Sequence, residues 1–332
     1  MQKRVVTFGE VMMRLSPEGQ ARFRQATNFN VVYAGSEANV AASLSFLGVP
    51  AAHVTCFPDN DLGKAAAHQL QSYGVDMQFT RYRDGRIGVY FIEHGASVRS
   101  PKIIYDRFDS AFAHLDPREF DWDKILANAR WFHWTGITPA ISQAAADACL
   151  EAIKTARKIG IRISGDINYR RNLWQYGKHA RDIMPALIEM TDTIIAGVTD
   201  FDNCLGIAED TFDKTCRKVM QSYPSIKVVA SSTRETISAS HNKLGAILFN
   251  GKELITSAPY DILPIVDRVG AGDAFMAGLI YGFIQGKTEQ QTLDFALAAC
   301  ALKHTVEGDV NVVDAAEIES LVRGENVGKL LR

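Results

Sequence analysis

The run Asp267-Arg268-Val269-Gly270-Ala271-Gly272-Asp273-Ala274-Phe275 holds the residue types and spacing in this sequence best suited to chemistry. It opens an apolar, helix-like stretch. Two glycines separated only by Ala271 let backbone N–H groups converge at a helix N-terminus. There the unpaired amides and the helix dipole both favour an anion. Asp273 falls in the first turn. A carboxylate beside an anion hole can take a proton from a hydroxyl while the amides stabilise a transferring phosphoryl group. Spacing alone equally allows a plain helix start with an acidic first turn. Other phosphate loops fail when checked. A dinucleotide fingerprint needs glycine three residues after Gly272, where Phe275 stands. The stretch Gly282-Phe283-Ile284-Gln285-Gly286-Lys287-Thr288 is one spacer short of a Walker A loop and closes a helix instead of opening one. No HExxH or GxSxG pattern is present, so metalloprotease and α/β-hydrolase chemistry have no motif.

The elements that must hold this run alternate in type. Strands are expected over 5–8, 51–57, 131–134, 161–167, 193–196 and 227–230. Helices are expected over 37–47, 62–73, 142–159, 179–190, 210–223, 272–285 and 289–304. In the first helix Val40, Leu44 and Leu47 recur at helical spacing and Gly48 ends the pattern. Strands alternating with helices of ~10–15 residues predict an α/β fold, a mostly parallel sheet with helices on both faces. The texture changes over 14–33 and between 84 and 112, where short β-rich runs are broken by Gly, Ser and Pro. These segments predict a small side sheet inserted, from about 14–33 and 86–112, into one α/β domain spanning 1–332. Residues 236–249 resemble a hairpin. Ligands in such folds sit beyond the carboxyl ends of strands, which singles out 136–139, 166–171, 197–200 and 231–235.

Composition narrows the function classes. Lys plus Arg total 36 and Asp plus Glu total 38, a net charge of -2. Without a basic excess, nucleic acid is not expected as a main partner. Hydrophobic residues at 47% and charged residues at 22% exclude a disordered chain. No stretch approaches the ~18 uninterrupted apolar residues of a membrane span; the best candidate, 274–284, is short and holds Ala277, Gly278 and Gly282. The first residues enter a strand-like run without a signal-peptide core. Cys56, Cys149, Cys204, Cys216 and Cys300 are odd in number and lack a CxxC pair. A reducing cytoplasm with buried thiols is therefore expected.

The segment Gly270-Ala271-Gly272-Asp273-Ala274-Phe275 resembles the C-terminal signature of the ribokinase-like (PfkB) carbohydrate kinases. Ala34-Gly35-Ser36-Glu37-Ala38-Asn39-Val40-Ala41 is similar to that family's glycine-containing sugar-binding segment, and the similarity runs through essentially the whole chain. Four passages look more narrowly like 2-keto-3-deoxygluconate kinases. They are Gly9-Glu10-Val11-Met12-Met13-Arg14-Leu15-Ser16-Pro17, Tyr105-Asp106-Arg107, Thr135-Gly136-Ile137-Thr138-Pro139-Ala140 and Asp166-Ile167-Asn168-Tyr169-Arg170. The resemblance implies ATP-dependent phosphorylation of the 6-hydroxyl of a keto-deoxy sugar acid. It implies Asp273 as base and the amides of Gly270, Ala271, Gly272 and Asp273 as anion hole. Gly35, Tyr90, Tyr105, Arg107, Ile137 and Arg170 match the sugar-acid site, and Asp309 a further substrate contact. The side sheet would be a lid over the sugar and a means of homo-oligomerisation. Arginine's planar fork suits a substrate carboxylate, and a neutral sugar would leave Arg107 and Arg170 unpaired.

Three positions depart from the family pattern. Arg268 stands where a small residue or Pro is usual. The Asn-x-x-Glu motif linked to magnesium aligns near Gly197-Val198-Thr199-Asp200, leaving Asp200 to orient metal-bound water. Ser231-Ser232-Thr233-Arg234-Glu235 replaces a Gly-rich nucleotide contact, with Ser231 and Thr233 as phosphate-contact candidates. Mg2+ is expected with ATP because the transfer needs charge neutralisation. The rival expectations are a kinase of this fold for another sugar, such as fructose or ribose, and a non-catalytic sugar-acid sensor.

Overall fold

A computed structural model describes residues 3–325. Its largest sheet has eight strands in the order Leu254–Ile262, His241–Phe249, Val228–Ser238, Thr193–Ile195, Arg162–Asp166, Ala129–Thr135, Arg4–Phe8, Ala51–Val54. Pairing is parallel from Val228–Ser238 to Ala51–Val54 and antiparallel across the last two strands at the other edge. Strand period 2 builds two cores from one sheet. Val6 and Phe8 pack on one side with helices Gln143–Lys158, Ala180–Ile188 and Phe212–Ser222. Val5 packs on the other with Ser36–Phe46, Asp61–Ser72 and Ala271–Ile284. The helix Ala271–Ile284 also carries Phe275 and Leu279 against Glu289–Lys303. Helices thus cover both faces, as the αβ rhythm predicts.

The side sheet forms from the expected segments. Its four strands run Asn30–Ala34, Met12–Ser16, Val89–Glu93, Lys102–Asp106. Register places Arg14 opposite Tyr90 and Tyr90 opposite Tyr105, so these three share one face. Val31, Leu15, Phe91 and Ile104 line up across the other face.

Several elements escape the sequence reading. The strand expected to stop at 230 runs on to Ser238, and a third antiparallel strand, Leu254–Ile262, follows the hairpin. Beyond Ala230 the ladder leaves the core, and residues 232–237 are exposed. Polar side chains therefore occupy a paired strand and imitate a loop. Short helices Ile137–Ile141, Val198–Leu205 and Ala315–Val322 were likewise unexpected. No helix among the described residues is long and apolar enough to cross a membrane. All five cysteines are buried and unpaired.

Candidate active site

A cavity of about 700 Å³ opens between the main sheet and the face of the side sheet that carries Tyr90 and Tyr105. It lies beyond the carboxyl ends of the parallel strands. From Arg4–Phe8 the chain passes first to Ala51–Val54 on one side and later to Ala129–Thr135 on the other. Such a reversal of strand order leaves a crevice where ligands bind.

Asp273 sits half-buried on the cavity wall. Ser36 Oγ donates to its Oδ1 at 2.6 Å and Asn39 Nδ2 to its Oδ2 at 2.7 Å. Removal from water pushes the carboxyl up to about 6, an effect that these two hydrogen bonds and the charge of Arg170 oppose. The group is thus oriented, ionised near neutral pH and close to the operating range of a general base. Gly270 caps the helix in the left-handed region at φ 79°, and a Cβ there would lie 1.8 Å from the Asp309 carbonyl oxygen. Only glycine fits.

Gly272 is different. It is helical, and a Cβ built on it meets nothing within 4 Å. The fold does not need glycine there; the space opens toward the cavity. Gly272→Ala should therefore raise unfolding stability by roughly 0.5–1 kcal/mol. The same change should weaken ATP binding about tenfold or more, by filling the approach to the amides. Calorimetric titration alongside denaturant unfolding checks both signs. Unchanged ATP affinity would place the phosphates elsewhere.

The other expected site residues fall into three groups. Gly35, Tyr90, Tyr105, Arg107, Ile137, Arg170 and Asp309 all line the cavity with Gly270, Ala271, Gly272 and Asp273. Gly35 caps the helix that supplies Ser36 and Asn39, and the Glu10 carbonyl leaves no room for a side chain on it. Tyr90 and Tyr105 are tilted neighbours with ring centroids 5.9 Å apart. Asp309 and Arg107 come to the cavity already partnered. Asp309 accepts from Tyr90 Oη and from Arg14 Nη1. Arg107 donates through Nε and Nη2 to Glu10 Oε2. The expectation that a neutral ligand would leave Arg107 unpaired is thus corrected, because Glu10, 97 residues away, already neutralises it. Arg170 keeps that property. It is exposed to the cavity with no ion-pair partner among the described residues.

The last group lies apart from expectation. Thr233 lines the cavity from a strand, not a loop; Ser231 does not, and its neighbours Ser232 and Arg234 do. Asp200 is not on the wall. Its Oδ2 accepts from the Gly197 N–H at 2.8 Å and its Oδ1 from the Tyr169 N–H at 3.3 Å, so it caps its own helix.

Sequence reasoning gave no role to Ser36, Asn39, Asp166, Glu37 or Arg14. Ser36 and Asn39 are three apart on one helix face, a spacing that could have flagged them. Asp166 lines the cavity, and burial with the charges of Asp200 and Asp273 raises its carboxyl to about 8. Glu37 is buried beneath, where burial pushes it to about 7 although Thr138 and Thr135 hydroxyls donate to it. Arg14 ties the side sheet to the segments on either side of the anion loop and its helices. Its Nη2 donates to Asp267 Oδ2 at 2.6 Å and its Nη1 to Asp309, with all three side chains at most 3% exposed.

Residues 2–316 match the pfkB family of carbohydrate kinases. The chain is 32% identical over 330 residues to a 2-dehydro-3-deoxygalactonokinase of Haloferax volcanii, covering 99% of each. It is 28% identical to a 2-dehydro-3-deoxygluconokinase of Bacillus subtilis, covering 94% of this chain and 93% of the other. The crystal structure of a 2-dehydro-3-deoxygluconokinase from Thermotoga maritima superposes with a TM-score of 0.92 at 42% identity, covering 97% of this chain and all of that one.

Proposed function

This chain belongs to the pfkB family of carbohydrate kinases, and from that premise we propose that it transfers the γ-phosphoryl group of ATP to the 6-hydroxyl of 2-keto-3-deoxygluconate. The products are 2-keto-3-deoxy-6-phosphogluconate and ADP. Asp273, held by Ser36 and Asn39, takes the hydroxyl proton. The hydroxyl oxygen bonds to the γ-phosphorus as the bond to the β-phosphate oxygen breaks. The amides at Gly270, Ala271, Gly272 and Asp273 offset the charge on the group in flight. Tyr90 and Tyr105 on the lid cover the sugar and exclude water.

The observation that carries the sugar-acid reading is Arg170, a guanidinium that faces the cavity and makes no salt bridge among the described residues, although the carboxylates of Asp166 and Asp273 lie within reach of its charge. The names of the relatives, kinases of two keto-deoxy sugar acids, support it. The test is an ATP-consumption panel of both keto-deoxy hexonate epimers, fructose and ribose, run on wild type and Arg170→Ala. We expect the gluconate-derived acid to give the highest kcat/KM with wild type. Losing a charge-assisted bidentate contact should raise its KM roughly 10- to 100-fold in the variant and leave the KM for ATP within about twofold. Fructose or ribose as best substrate would overturn the substrate, and an unmoved KM would overturn the role of Arg170.

ATP is expected to bring Mg2+. No cluster of three metal-ligating side chains occurs among the described residues. Asp166 suits an outer contact better than Asp200, because it lies on the cavity wall and Asp200 does not. The cation would neutralise phosphate charge during transfer. On this reading the chain works as one α/β domain with an inserted lid. The apolar row Val31, Leu15, Phe91 and Ile104 on the lid's outer face would meet a second copy. The unpaired cysteines and the ATP requirement are consistent with a cytoplasmic setting.

A further inference from the structure

Besides Arg170, three arginines on the cavity wall, Arg171, Arg234 and Arg268, make no salt bridge among the described residues, and Arg234 and Arg268 are close enough for the charge of one to act on the other. Arg234 projects from the strand Val228–Ser238, and Arg268 lies two residues before Gly270. Both line the cavity beside Gly270 and Gly272. Arg14 and Arg107 are each paired with carboxylates. Arg234 and Arg268 have no ion pair or side-chain hydrogen bond among the described residues. A further cation, Lys303, is buried and donates to the carbonyl oxygens of Asp267 and Val306; its charge and those of Arg234 and Arg268 all act on His304, which also lines the cavity. Burial and then the charge of Arg234 hold Arg268 below the ordinary arginine range, although the Asp267 carboxylate opposes them.

An empty cavity gains nothing from this arrangement. Two cations close enough to repel each other on a wall shared with an anion hole cost stability until something neutralises both. One carboxylate can engage one guanidinium fork. A ligand reaching the amides of 270–273 and both forks must carry several negative charges in a row. Planar arginine forks match phosphate oxygens bidentately. We propose that Arg234 and Arg268 form a two-sided clamp on the nucleotide polyphosphate, neutralising the departing diphosphate while the helix amides hold the group in transfer. The clamp rests on the ATP-kinase reading above and adds to it two phosphate-binding residues. It also gives a purpose to Arg268, which stands where a small residue or Pro is usual.

The test compares Arg234→Gln, Arg268→Gln, Arg268→Lys and wild type in binding to ADP and AMP. Thermal unfolding is measured without nucleotide and sugar KM under saturating ATP. Each Gln variant should unfold at the same or a higher temperature without nucleotide, because a repulsion has been removed. Each should bind ADP roughly 10- to 100-fold more weakly. AMP affinity should change by no more than about threefold and the sugar KM should stay put, since the clamp grips phosphates that AMP lacks. Arg268→Lys should recover part of the ADP affinity by keeping the charge without the fork. Equal weakening of ADP and AMP, or a drop in nucleotide-free stability without ADP-selective loss, would overturn the clamp. Undiminished ADP binding in the variants would overturn the clamp alone. A wild-type protein that binds no ADP would overturn the kinase reading with it.

Discussion

Asp273→Asn should leave a folded protein that binds sugar acid and nucleotide within about threefold of wild type but turns over about 10²- to 10⁴-fold more slowly, the usual worth of a general base. The amide keeps the shape of the carboxylate. Its oxygen can still accept from Asn39, and the Ser36 hydroxyl can turn to accept from its N–H₂. What is lost is the basic oxygen within reach of the substrate hydroxyl. Wild type should show the matching pH dependence. A base works only when ionised, and burial holds Asp273 up at about 6. The value of kcat/KM should therefore be level above neutrality and fall below pH 6, approaching about tenfold per unit. Single-turnover kinetics on the variant and a pH profile on wild type decide the matter. A variant retaining a tenth of normal turnover would remove Asp273 from the role.

The largest expected effect on stability comes from Arg14. Arg14→Met should cost about 3–5 kcal/mol of unfolding free energy at neutral pH, because it strands two buried carboxylates, Asp267 and Asp309. That is a large share of the ~5–15 kcal/mol that holds a typical domain together. Asp267 also accepts from the Val269 N–H at 3.0 Å and the Gly308 N–H at 3.2 Å. Loosening it should disturb the anion loop, so the KM for ATP should rise as well. Arg14→Lys keeps the charge, loses one of the two forked contacts and should fall between. Denaturant unfolding at constant m-value measures the effect. A cost under about 1 kcal/mol would mean that Lys303 and backbone donors satisfy both carboxylates without Arg14.

Different parts of this molecule were legible to different depths. The helix start at 270–273 was plain because its requirement is local: two glycines and one first-turn carboxylate lie within a few residues, although spacing alone did not tell an anion loop from an ordinary helix start. The parallel sheet was plain because strand and helix periods are local too. The lid strands could be located from composition, but not the register that puts Arg14, Tyr90 and Tyr105 on one face. Residues 231–238 misled because exposed strand and loop share the same polar side chains. What separates them is pairing with 241–249, and that pairing is a tertiary fact.

The sequence by itself determined the αβ order, the helix start framed by Gly270 and Gly272 and the place of Asp273 in its first turn. Each follows from φ/ψ preference, periodicity or spacing within one element, where near neighbours set the physics. Only the tertiary structure decided which charges are free to act. It closed Arg107 onto Glu10 across 97 residues and Arg14 onto Asp309 across 295, and brought Ser36 and Asn39 to Asp273 across 237 and 234. It left Arg170, Arg171, Arg234 and Arg268 without salt bridges among the described residues on the cavity wall. A net charge of -2 describes their sum. Binding depends on where the chain withholds the partners, because a buried charge acts on a ligand only when no closer counter-ion has already claimed it.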